Sequence, residues 1–233
     1  TFTAEQLAVS STANLFAPAI DGRYVAYQRF GLLDAVPNSD VHVYDLADDT
    51  AFRVTDDTSD QIGPDVSFDL VVYSDGRHGN SEIYLYDIEE DSEVRLTTLP
   101  GEQLRPRISN RNVIWYDAVT GSLWHRDLLR DEAEEIPGTA PVAESDLWDV
   151  DGDTVVLTMG DKLYSWSAGE IGEPKQIASI GGWTFESLKV HAGRAVRGMA
   201  PDAALFVWRR RLRTAVGLDQ RLAGLLGTGH CLD

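Results

Sequence analysis

The sequence predicts an all-β domain of stacked four-stranded units, and three observations predict it. A five-residue beat recurs five times: Val41-His42-Val43-Tyr44-Asp45, Ile83-Tyr84-Leu85-Tyr86-Asp87, Leu123-Trp124-His125-Arg126-Asp127, Leu163-Tyr164-Ser165-Trp166-Ser167 and Leu205-Phe206-Val207-Trp208-Arg209. The last residues of these beats are 42, 40, 40 and 42 positions apart. A β-branched residue ends a short segment in every copy, as Ile20, Val66, Ile108, Val150 and Val190. Turn residues follow it each time, as Asp21-Gly22, Phe68-Asp69, Asn110-Arg111, Asp151-Gly152 and Ala192-Gly193. A period in the forties made of short strands marks a propeller. The expected fold is therefore a single β-propeller of five four-stranded blades, with a period of about 42 residues.

Each strand has its own justification. The first strands begin at about 14, 60, 102, 144 and 184 and close on the β-branched slot, which a buried strand position favours. The second strands, Tyr24–Tyr27, Leu70–Tyr73, Val113–Tyr116, Thr154–Leu157 and Arg194–Arg197, are nearly continuous in apolar residues. That composition suits strands covered on both faces by neighbouring sheets. The third strands are the recurring beat. The fourth, such as Phe52-Arg53-Val54-Thr55 and Val94-Arg95-Leu96-Thr97, alternate polar and apolar residues as an outer strand with one wet face should. The propeller is expected over residues 1–216, with a C-terminal tail over 217–233 in which Leu222, Leu225 and Leu226 form a short apolar face.

Charge narrows the function. The chain has 25 Asp and 13 Glu against 17 Arg and 3 Lys, for a net charge of −18. So acidic a surface argues against nucleic acid as a partner, because phosphate recognition needs a basic face. It reads as a solvated, solubilising surface, and the preference for Asp and Arg fits a high-salt habitat or an exported protein of a GC-rich genome. No run of 18 apolar residues occurs, so no membrane-spanning helix is expected. The single cysteine, Cys231, excludes an internal disulfide and leaves an inert thiol or an intermolecular contact through the tail. A start at Thr1 fits removal of a signal peptide or a cut chain.

The second unit holds the most specific stretch. Gly63-Pro64-Asp65-Val66 followed by Ser74-x-x-Arg77-x-Gly79-Asn80-x-Glu82-Ile83-Tyr84 resembles the WD40-like repeat of TolB-type β-propellers. The resemblance covers one blade, and the other four units keep the strand pattern without the motif. It implies export to the periplasm, cell surface or extracellular space. It also implies a role in binding partners across one propeller face, or in gating a peptidase. TolB itself is generally six-bladed, whereas five units are counted here. Closure then needs either a five-blade ring or an outer strand lent to the last blade by Thr1–Thr12, since a propeller protects its free edges.

Candidate sites cluster on the lead-in loops, those entering the first strand of each blade. The residue before the β-branched slot is Ala19, Asp65, Arg107, Asp149 and Lys189 in turn, so charges of alternating sign are expected around the central channel. They form either a salt-bridge ring between blades or a small-anion site with Arg105 and Arg107 as donors. Gln61, Gln103, Trp148, Trp183, Phe185 and Glu186 complete the lead-in surface, with Trp183 the best exposed candidate after Gly181-Gly182. Asp149-Val150-Asp151-Gly152-Asp153 resembles part of a calcium loop but lacks its closing Glu, and no metal or other cofactor is expected. The five histidines have no metal-ligand spacing, and neither a Gly-x-Ser-x-Gly elbow nor a phosphate loop is present. The favoured reading is a non-catalytic, exported binding or scaffold module for a protein or glycan partner, with no catalytic residue assigned. The alternatives are a five-bladed carbohydrate-active enzyme using Asp65, Asp149 and Glu186, or a structural surface-assembly component.

Overall fold

The computed structural model describes residues 14–33, 36–130, 132–143, 145–179, 187–191, 194–198 and 206–209. The Thr1–Thr12 segment, the closing strand of the fifth unit at Arg213–Val216, the tail with Cys231, and Trp183, Phe185 and Glu186 lie outside these residues. Every described element is a strand. The first sheet contains β1 (Asn14–Asp21), β2 (Tyr24–Leu33), β3 (Val36–Asp45) and β4 (Thr50–Arg53). The second contains β5 (Gln61–Ser67), β6 (Leu70–Asp75), β7 (Glu82–Asp87) and β8 (Ser92–Arg95). The third contains β9 (Gln103–Ser109), β10 (Asn112–Asp117), β11 (Ser122–Asp127) and β12 (Ala133–Glu135). The fourth contains β13 (Trp148–Asp151), β14 (Thr154–Met159), β15 (Lys162–Ser167) and β16 (Lys175–Ser179). A last sheet joins β17 (Ser187–His191), β18 (Arg194–Gly198) and β19 (Phe206–Arg209). All pairings are antiparallel between consecutive strands, the arrangement of a propeller blade.

Apolar side chains bind consecutive sheets face to face. Ala26, Val41 and Val43 meet Val66, Val71 and Tyr73 between the first and second sheets. Val72 and Ile83 meet Ile108, Val113 and Trp115 between the second and third, and Val156 and Leu163 meet Leu188 and Val190 between the fourth and the last. Between the third and fourth sheets, Ile114, Leu123 and Ile136 meet Trp148, Val155 and Leu157.

Repeated polar residues fasten the turns. The aspartate ending the third strand caps the turn that follows it: Asp45 accepts from Ala47 N at 2.9 Å, Asp87 from Glu89 N at 3.0 Å and Asp127 from Leu129 N at 3.0 Å. The threonine after the fourth strand reaches back to the third. Thr55, Thr97 and Thr139 Oγ1 accept the backbone N–H of Val41, Ile83 and Leu123 at 2.9, 2.8 and 3.0 Å. The most recurrent letters of the sequence are therefore turn caps and strand latches.

Two features depart from expectation. The innermost strands of the first three sheets contain bulges, with Ala17, Gly63 and Arg105 in the left-handed region at φ 46°, 63° and 56°. A proline follows each, where the ladder is already interrupted and no N–H is required. The β-branched slot is also not buried throughout. Val66 and Ile108 are 4% exposed, but Ile20, near the end of the first strand of its sheet, is 66% exposed.

On that same sheet, Tyr27 and His42 stack with ring centroids 5.7 Å apart, and His42 Nε2 is buried without a hydrogen-bond partner. Burial, reinforced by Arg29 and Arg53, lowers the His42 pKa to about 4. The unfolded chain then binds the proton more readily than the fold does. Stability contributed by neutral His42 is complete above about pH 6.5 and is lost as the pH falls towards 4. Denaturant midpoints measured across this window should decline in acid, with a shallower slope for His42→Leu. An equal slope would refute the assignment.

Candidate functional site

The first strands of four successive sheets, β5, β9, β13 and β17, bring Asp65, Arg107, Asp149 and Lys189 near one another. The field at Asp65 includes contributions from Arg107, Lys189 and Asp149, so charges on four successive sheets converge. They do not form a closed salt-bridge ring. Lys189 Nζ lies 3.5 Å from Asp149 Oδ1, while the Arg107 guanidinium donates to the Pro106 carbonyl at 2.9 Å.

Both buried carboxylates act chiefly on backbone. Asp65 Oδ2 accepts the N–H of Ile108 at 2.9 Å, and Asp149 Oδ2 accepts that of Val190 at 2.7 Å. Each ties its sheet to the β-branched slot of the next. Ala19 and Arg107, at the equivalent positions, have no acceptor to offer. Burial pushes the carboxyl pKa of Asp65 and Asp149 up, opposed mainly by Arg107 at Asp65 and by Lys189 at Asp149. A second row of staples runs beside the first: Asp21 accepts from Phe68 N at 2.9 Å, Ser67 Oγ from Asn110 N at 2.9 Å and Ser109 Oγ from Gly152 N at 2.8 Å.

The remaining lead-in residues divide by burial. The Arg105 guanidinium sits over the Trp148 indole, 4.1 Å from the ring centroid, and the Arg105 carbonyl accepts from Trp148 Nε1 at 3.1 Å. Trp148 fills the joint between the third and fourth sheets. Gln61 and Gln103 are wholly buried and so are not lead-in surface, with their amides donating to Ser59 O at 2.8 Å and to Asp117 at 3.1 Å. The calcium-like stretch is dispersed, since Asp149 turns to the last sheet and Asp153 accepts from Asn112 at 3.0 Å. Among the described residues no three His, Cys, Asp or Glu converge on a metal position. Sequence reasoning missed a polar cleft around His125 at the opposite end of the sheets. Aligning the units by ladder position would have revealed it.

No family model matches the chain, and no curated protein does. Solved structures do. TolB from Acinetobacter baumannii superposes with a TM-score of 0.54 at 15% identity, over 83% of this chain and 53% of that one. The β-propeller domain of the Trilobed protease from Pyrococcus furiosus gives 0.58 at 13% identity, over 85% and 83%. The fold is a TolB-like β-propeller. A nidogen/laminin complex contributes a third similar chain, with a TM-score of 0.58 at 9% identity over 81% and 73%. The propeller described here spans about half of the TolB chain. At these identities the likeness concerns the fold.

Proposed function

We propose that this chain is an exported, non-catalytic binding propeller of five blades that holds a protein or glycan partner on the lead-in face around its channel. The observation that carries this reading is the use of the channel carboxylates. A retaining glycosidase needs two free acids about 5 Å apart and an inverting one needs them about 6.5–9.5 Å apart, facing a substrate. Asp65 and Asp149 instead accept backbone N–H groups of the neighbouring sheets. Arg107, half-buried, and Lys189, exposed although 3.5 Å from Asp149, are the cations offered to a partner. The nidogen propeller, solved in complex with laminin, is a precedent for protein recognition by this fold. The family resemblance of the second unit favours export.

A second reading has its own support, because the Trilobed protease propeller matches this chain over most of its length. On that reading the chain is the propeller of a larger peptidase.

The test compares wild type with Arg107→Glu/Lys189→Glu as baits for surface proteins and glycan arrays, alongside hydrolysis assays on aryl glycosides and peptides. The double reversal should weaken partner binding at least tenfold, with no turnover by either protein. Turnover abolished by Asp65→Asn and Asp149→Asn would replace the binding reading with an enzymatic one.

A further inference from the structure

At the turn end of the propeller, away from the lead-in loops, a cavity of about 390 Å³ opens between the third and fourth sheets. Asn112, His125 and Glu134 form its third-sheet wall. The equivalent ladder positions are Tyr24, Val43 and Phe52 in the first sheet and Leu70, Leu85 and Val94 in the second. The first trio packs in the joint with the next sheet, as do Leu70 and Leu85 of the second, with Val94 half exposed beside them. The opposing wall departs in parallel. Ile88 and Leu128 follow the third strands of the second and third sheets and pack back on the preceding one. The fourth sheet has the smaller Ala168 there, and Ala168 lines the cavity. One joint of the repeat is thus both polar and hollow.

Hydrogen bonding selects the tautomer of a neutral His125. Asn112 Nδ2 donates to Gly152 O at 2.9 Å and to Asp153 Oδ1 at 3.0 Å, which turns its Oδ1 towards His125. His125 Nε2 lies 2.9 Å from that oxygen and carries the proton of the neutral ring. Nδ1 is then a bare acceptor, 3.2 Å from Glu134 Oε1, which is another acceptor. The ring is 3% exposed, with Trp166 edge-on at 5.4 Å. Burial lowers the His125 pKa against the opposing pull of Glu134 and Asp127, with Arg130 adding to the lowering. In that tautomer two acceptors face each other at the cavity wall.

Charge indicates which kind of donor suits these acceptors. Arg111 and Arg130 both approach Asp127, at 3.4 and 3.7 Å. Glu132, Glu134 and Asp153 remain as carboxylates lining the cavity without an Arg or Lys in ion-pair contact among the described residues. We propose that this cleft binds an organic ammonium group, whose N–H donors bridge His125 Nδ1 and the Glu134 and Asp153 carboxylates. The group belongs to a free alkylamine or to a lysine side chain of another protein. This inference does not depend on the lead-in face, so Arg107→Glu/Lys189→Glu should leave it intact.

The test is calorimetric titration at pH 7 with putrescine and with acetyl-Gly-Lys-Gly-amide, using acetyl-Gly-Gln-Gly-amide as the neutral control. Nitrogen-15 spectra of the His125 ring are followed in parallel. The expected result is saturable one-to-one binding of at least one amine, a shift of the Nδ1 resonance and a tenfold or greater loss in Glu134→Gln. The Asn112→Leu/His125→Leu/Glu134→Val variant installs the second sheet's trio, should fold, and should lose binding altogether. Affinity should also fall in acid, because protonated His125 supplies its own donor to Glu134 and repels the ammonium. Binding of putrescine alone assigns the site to free amines, and binding of the lysine peptide alone assigns it to a protein side chain. Absence of saturation by both amines, equal binding of the glutamine peptide, or undiminished affinity in Glu134→Gln would overturn the proposal.

Discussion

Glu82→Ala is expected to destabilise the protein by about 3 kcal/mol, since removing one partner of a buried ion pair strands the other. Glu82 is 1% exposed and accepts from Arg95 Nη2 at 2.8 Å, from Asn80 Nδ2 at 3.1 Å and from the Thr97 hydroxyl. Arg95 keeps partial contact with water, which places the effect at the low end for such pairs. The loss should spread beyond the pair. Asn80 also donates to the Gly101 carbonyl at 2.6 Å, and Thr97 latches Ile83, so the cluster joins strands β7 and β8 to the loop that leads into the third sheet. The first sheet repeats it: Arg53 meets Asp40 at 2.7 Å, Asn38 meets Asp40 at 3.3 Å and Thr55 latches Val41. Urea unfolding of Glu82→Ala and Glu82→Gln provides the measurement, with the glutamine variant losing less because it retains an acceptor. A shift below about 0.5 kcal/mol for the alanine variant, the range of ordinary surface changes, would show the cluster to be dispensable.

Trp148→Ala should cost about 4 kcal/mol, within the range for removing a large buried aromatic. The indole is 4% exposed and packs against Tyr116, with ring centroids 6.1 Å apart. It also carries Arg105 on its face and caps the Arg105 carbonyl at the bulge. Trp148→Phe keeps most of the packing and loses the N–H, so it should cost about 1–2 kcal/mol, the size of one hydrogen bond with a buried carbonyl left unsatisfied. Thermal unfolding of the two variants separates packing from hydrogen bonding. Equal losses would mean that the indole N–H carries the effect.

Much of the architecture was legible because propeller strands announce themselves locally. The 40–42-residue spacing, the turn pairs and the apolar second strands place β5, β6 and β7 within a residue or two. The fourth sheet begins at Trp148 rather than near 144, since Ala143 N is held by Asp146 at 2.8 Å in a preceding turn. The bulges were not foreseen, although the prolines at 18, 64 and 106 mark them. The candidate site was less legible for a physical reason. The alternating signs of Asp65, Arg107, Asp149 and Lys189 suggested side chain paired with side chain. The carboxylates took backbone N–H groups of the next sheet, which no residue letter specifies. The Asn112–His125–Glu134 trio stands out only when the units are compared position by position, because each residue alone is ordinary for a strand with a wet face.

The direction of those staples has a consequence for how such a chain can lengthen. In each of these five bonds the earlier sheet supplies a side-chain acceptor and the later sheet a main-chain N–H, with the Ser67 hydroxyl added at Asp21 and the Lys189 ammonium at Asp149. An amide is present whatever residue occupies the position, proline excepted. A duplicated unit inserted after any of these acceptors would find itself docked without having evolved a matching partner. A unit's own sequence is then free to drift as long as it keeps an acceptor for the copy behind it. The degenerate motifs of this array, set on so regular a stack, are what that one-sided dependence permits.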